Sequence, residues 1–99
     1  MSNDYDYLSE KFLEAMNDIG RYGHEKYGID SFQHRMRLKE RSRWMDRVGS
    51  LEIMDHAHQH FQMHLAGEPH DYFNTRKHQL AAVAFNAMME FYLSGLDEE

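Results

Sequence analysis

Between Thr75 and Leu93 the chain is apolar around most of the circumference of a helix, at Leu80, Ala82, Phe85, Met88, Met89, Phe91 and Tyr92. A helix without a broad polar face has to lie between other elements rather than on their surface, so this segment predicts the central, most buried helix of the domain, capped by Asn74 or Thr75 and ending near Leu93. Strand-like alternation is scarce elsewhere, and the expected class is all-α: a small four-helix bundle-like domain with a basic connector between helices 1 and 3. At 99 residues one domain with one core is expected, small enough that self-association into a homo-oligomer would help to bury the remaining apolar surface.

Three further segments surround the central one. Tyr5, Leu8, Phe12, Ala15, Ile19 and Tyr22 recur at three- and four-residue steps, a stripe that predicts a first helix capped near Asn3 or Asp4 and loosened and ended by Gly20, Gly23 and Gly28. Asp30 and Ser31 can cap a second helix, although Phe32, Met36, Leu38, Trp44 and Met45 fall on no single face. Ser50 is the expected cap of a third helix, whose stripe of Leu51, Met54, Ala57, Phe61 and Leu65 stops at Gly67, with Pro69 making the break firm. Residues 67–74 form the last connector.

Charge is unevenly spread. The net charge is −6, which argues against a general nucleic-acid binder. Yet residues 35–47 hold six of the eleven Lys and Arg (Arg35, Arg37, Lys39, Arg41, Arg43 and Arg47), so this block carries +4 and the remainder −10. A basic strap on an acidic body suits a phosphate-bearing ligand, an acidic neighbouring subunit or simply a solvated connector. No apolar run approaches the length of a membrane span and the first residues are acidic, so a soluble, cytoplasmic protein is expected. Without cysteine, any metal must sit on His, Asp, Glu or carbonyl oxygen.

Candidate chemistry follows from position at 100° per residue. His56, His60 and His64 form a row beside the apolar stripe of the third helix, and His56 with His60 has the one-turn spacing of a shared metal; water and carboxylates could satisfy them equally well. Glu52 with Asp55, and Glu14 with Asp18, are carboxylate pairs of the kind a hard divalent ion such as Mg²⁺ or Mn²⁺ takes, though such pairs are also common on exposed faces. His78 falls inside the apolar sector of the fourth helix and needs a partner if buried, a backbone carbonyl or Asp71. Asn86 and Glu90 mark a cavity, a subunit contact or a solvent edge.

The run Gly23, His24, Glu25, Lys26, Tyr27, Gly28, then His60 with Gly67, Glu68 and Asp71, and finally His78 with Leu80, Ala81, Ala82 and Asn86, resembles the family of dATP/dGTP diphosphohydrolase N-terminal domains, which is similar to the all-α nucleoside triphosphate pyrophosphohydrolases. The resemblance covers most of the chain outside residues 31–49. It implies a helical domain that binds a purine deoxynucleotide with Mg²⁺ and hydrolyses it to monophosphate and pyrophosphate, or a non-catalytic module that binds or sequesters the nucleotide; a helical interaction protein is the reading without a ligand. Glu14, Glu25, His60, Glu68, Asp71 and His78 carry over. The resulting assignment gives catalysis to Glu68, Asp71 and His78, substrate binding to Lys26, His60, Arg43, Arg47 and Asn86, and the metal to Glu14, Asp18, Glu52, Asp55 and His56. The chain departs from the family pattern at Gln59, Phe73 and Ala81, losing an arginine, a carboxylate and a histidine.

Overall fold

The computed structural model describes residues 6–27 and 46–99, for residues 24, 27 and 46–49 the backbone alone. Among the described residues the fold is all-helical: α1 (Glu10–Tyr27), α2 (Asp46–Leu65) and α3 (Lys77–Leu93), followed by a 3₁₀ turn at Leu96–Glu98. These are the first, third and fourth expected helices. The expected second helix and Arg43 lie outside the described residues, so the fourth helix of the expected bundle is not among the elements seen.

As its sequence demands, α3 lies in the middle, with α1 and α2 both packed on it. It contributes Ala81, Ala82, Met89 and Leu93 to the interior. Ile53 of α2 joins Met89 and Leu93 in the apolar cluster, with Phe85 packed against it.

The helix ends correct several expectations. Helix α1 starts at Glu10, later than the Asn3 or Asp4 caps imply, because the Ser9 hydroxyl accepts the Phe12 amide at 3.2 Å and satisfies an otherwise orphaned donor. It then runs through Gly20 and Gly23 to Tyr27. A Cβ on Gly20 would stand 2.9 Å from Cε2 of Phe85; the missing side chain is what lets α1 approach α3. Ser50 caps nothing, since α2 is already helical from Asp46. The stop at Gly67 is as expected and has a definite form. Its φ is +75°, and the amides of Gly67 and Glu68 donate to the carbonyls of His64 and Met63 at 3.0 and 2.9 Å, a Schellman closure.

The connector is tied off by two backbone bonds, Asn74 N–H to the His70 carbonyl at 2.7 Å and His70 N–H to the Thr75 carbonyl at 3.0 Å. Asn74 takes a left-handed φ of 55°, a conformation asparagine tolerates better than most residues. Neither Asn74 nor Thr75 is the cap of α3; that position is Arg76, which makes no side-chain capping bond.

The largest correction concerns how α2 is rotated. Its apolar stripe faces out, with Leu51 72% and Leu65 63% exposed and Met54 and Phe61 also open; only Ala57 of that stripe is buried. The inward face instead carries Ile53, Ala57, His60 and the half-buried His64, roughly 100° round the helix, or one residue's step. Of the histidine row, His60 and His64 therefore turn toward the interior, while His56 is exposed. No helix among the described residues is long and apolar enough to cross a membrane.

The Gly20–Phe85 contact gives a direct test. Gly20→Ala gains roughly 1 kcal/mol of helix propensity but overpacks the ring, a cost of about 1–3 kcal/mol. We expect a net loss of about 1 kcal/mol in denaturant unfolding, relieved when Phe85→Leu is combined with it. Strict additivity of the two changes would contradict the contact.

Candidate functional site

The interior contains more polar groups than a small helical domain needs for packing. His70, His78, Gln79 and Asn86 are all buried, and each has hydrogen-bond partners, as burial requires. His78 is held at both nitrogens. Its Nε2 lies 3.0 Å from Oδ2 of Asp18, and its Nδ1 bonds the Thr75 hydroxyl. The expected partner was Asp71 or a carbonyl; the actual one comes from α1, sixty residues away in sequence, and the ring also stacks on Phe73 at 4.0 Å. So placed, His78 is a strut between α1 and the start of α3.

Gln79 follows immediately and is completely enclosed, at 0% exposure. Its Oε1 bonds Nδ1 of His60 at 2.7 Å, and its Nε2 donates to the Glu68 carbonyl at 3.3 Å and to Sδ of Met63 at 3.6 Å. One side chain thus ties α3 to α2 and to the connector. His70 uses Nδ1 to accept the amides of Tyr72 and Phe73 at 3.1 and 3.4 Å, and its ring lies parallel to that of His60 with centroids 5.6 Å apart.

These groups surround a cavity of about 230 Å³ between α1 and α2 over the face of α3. Its apolar surface comes from Ile19, Met63, Ala82, Phe85 and Met89, and its polar surface from His56, His60, His70, Asp71, Gln79 and Asn86. On the α1 side stand Tyr22, Gly23 and Lys26. The Lys26 ammonium lies 5.7 Å from the centroid of Tyr22, whose ring stacks on Tyr72 at 4.4 Å. Asn86 donates to the Ala82 carbonyl at 2.7 Å.

The residues singled out from sequence therefore separate into groups. Lys26, His56, His60, Asp71 and Asn86 converge on the cavity, whereas His78 lies behind it and Glu68 is exposed, reaching the network only through its carbonyl. Glu14 and Glu25 are exposed on α1. Glu52 and Asp55 are exposed on α2, where Asp55 accepts from Gln59 at 2.9 Å. Among the described residues no three His, Asp or Glu side chains are grouped so as to hold a metal ion. The residues expected to hold Mg²⁺ do not form one site among the described residues, because Asp18 is bonded to His78, Glu14, Glu52 and Asp55 do not line the cavity, and His56 alone of the set does. The side chains of Arg43 and Arg47 lie outside the described residues.

Gln79 and His70 are the contributors that sequence reading passed over. A glutamine on an otherwise apolar helix, directly after a histidine in its apolar sector, was the available signal.

The profile of the family described as dATP/dGTP diphosphohydrolase, N-terminal, matches residues 2–99, a span that includes residues 31–49. No curated protein and no solved structure matches the chain.

The pKa of His70 is pushed below its ordinary 6.5, first by burial, then by the neighbouring His60 and His78, with Asp71 opposing. The unfolded chain consequently takes up this proton before the folded one, so stability present above pH 6.5 is lost as the pH falls below it. Thermal melts between pH 7.5 and 5 should show this decline. His70→Asn keeps an oxygen that can accept the same amides but cannot titrate, and should make the decline shallower; an unchanged slope would contradict the assignment.

Proposed function

The chain belongs to the dATP/dGTP diphosphohydrolase N-terminal family, and from that premise we propose that its cavity receives the purine base of a deoxynucleoside triphosphate while the phosphates lie at the mouth beside Lys26. The observation that carries this reading is the composition of the cavity: apolar and aromatic surface from Phe85, Tyr22 and Met89, with imidazole and amide groups from His60, His70 and Asn86. Aromatic and apolar walls with a few placed polar groups suit a flat heterocycle, which needs stacking surface and in-plane hydrogen bonds. At about 230 Å³ the space is smaller than the roughly 300–1,000 Å³ of sites that enclose whole ligands. It takes one end of a nucleotide.

Among the described residues Lys26 is the cation on the cavity wall, and in this reading it meets the phosphates; Arg43 and Arg47 remain proposed phosphate partners on their charge alone. A divalent ion enters as the counter-ion of those phosphates rather than as the occupant of a preformed cage, in keeping with the habit of Mg²⁺ of binding together with phosphates. If water attacks the bound triphosphate, Asp71 is the cavity carboxylate available to orient it. Glu68 and His78 are given supporting positions, in the connector and behind the wall.

A second reading is favoured by a separate observation, the outward ridge of Leu51, Met54, Phe61 and Leu65 on α2. A contiguous apolar face of this kind is covered in most soluble proteins, and self-association of the chain would cover it. Sedimentation of the wild type against Phe61→Ser tests this: the substitution should shift an oligomer toward monomer, and a wild type that is monomeric at every concentration removes the reading.

For the main proposal, thermal shift with dATP, dGTP, dCTP and dTTP should show stabilisation by the purine nucleotides, worth about 2.7 kcal/mol at a hundredfold excess over Kd. His60→Ala should reduce it and Lys26→Ala should reduce the difference between dATP and deoxyadenosine. A flat response to all four would sink the proposal. Pyrophosphate release with Mg²⁺ or Mn²⁺, abolished by Asp71→Ala, separates turnover from binding alone.

A further inference from the structure

We infer that His60 and His70 are held in opposite neutral tautomers, His60 protonated on Nδ1 and His70 on Nε2, with Gln79 as the residue that positions the first. The cavity then presents one imidazole lone pair and one imidazole N–H to whatever enters it. This rests on the nucleotide reading only for the identity of the ligand; the tautomers follow from the protein's own hydrogen bonds.

The argument for His60 starts at the far end of Gln79. The Glu68 carbonyl and the Met63 thioether can only accept, so the amide group facing them has to be the NH₂. Enclosure removes the alternative of turning the amide over and letting water repair the bonds, since Gln79 is 0% exposed. Oε1 therefore faces His60, and at 2.7 Å it needs a proton from Nδ1. A neutral His60 is left with its lone pair on Nε2.

For His70 the logic runs the other way. Two backbone amides, from Tyr72 and Phe73, donate to Nδ1, so that atom holds the lone pair and the proton of the neutral ring is on Nε2. Protonating Nδ1 would break both bonds and place a cation among His60, His78 and Lys26, with Asp71 the opposing charge.

The consequence concerns which end of a ligand the histidines accept. Phosphate oxygens offer lone pairs only and would meet the lone pair of His60 unfavourably. The hydrogen-bonding edge of a nucleobase offers at least one N–H and one lone pair and complements the two rings together. The histidine side of the cavity is thus selective for a neutral heterocycle and turns the phosphate end outward.

Long-range proton–nitrogen NMR of the imidazoles, on the unliganded chain at pH 8, reads the tautomers directly. His60 should give the Nδ1–H pattern and His70 the Nε2–H pattern. Gln79→Met, which keeps the length of the side chain and removes its acceptor, should change the His60 pattern and leave that of His70. A wild-type His60 protonated on Nε2 would overturn the inference whether or not the variant folds, as would a folded variant with an unchanged His60. Deoxyadenosine and inorganic triphosphate are then added separately. Perturbation of both rings by the nucleoside and not by the triphosphate is expected, and the reverse would overturn the ligand assignment. If neither probe nor dATP perturbs them, the nucleotide reading and the ligand assignment fail together, while the tautomers stand on the unliganded spectra.

Discussion

The bridge from Asp18 through His78 to Thr75 is the interaction on which the rest of the arrangement depends. It joins α1 to the start of α3 across sixty residues of sequence, and it does so behind the cavity wall. A buried imidazole left with an open nitrogen would cost about 1–3 kcal/mol, so α1 and the connector are both held to the positions that satisfy it. With α1 fixed, Gly20 sits against Phe85 and Tyr22 against the 70–73 turn. The cavity is the space left between that helix and α2.

Helix identity was legible because period and punctuation agree: the apolar circumference of residues 75–93 put α3 in the middle, and Gly67 closed α2. Glycine was a poor guide in α1, since Gly20 serves close packing and not termination. Helix α2 was read with the wrong face inward for a physical reason. Hydrophobicity alone ranks Leu51, Met54, Phe61 and Leu65 above a row of histidines, and it is a good rule only where the buried polar alternative has no partners. Here Gln79 supplies one to His60, and Ala57 of α2, like Ala81 and Ala82 of α3, is small enough to be buried beside it.

The site was legible in part. Lys26, His56, His60, Asp71 and Asn86 could be picked out by residue type and they do share one cavity. His78 was correctly placed in the interior, but its partner depends on how α1 crosses α3, which no local pattern encodes. The carboxylate pairs do not meet at the cavity, because spacing along a helix says which residues share a face and nothing about what that face meets; Glu52 and Asp55 are exposed. Gln79 and His70 are harder to single out, because the bonds they make join separate elements; the glutamine on an apolar helix is the one local sign of them.

Four of the seven buried apolar residues described are alanines, and four polar side chains are buried with them. Exposing apolar surface raises the heat capacity of an unfolding chain and exposing polar surface lowers it. The described part of the interior therefore adds little to the heat-capacity increment for its length, and so contributes less to the curvature of stability with temperature than the same helices closed over leucine and isoleucine would.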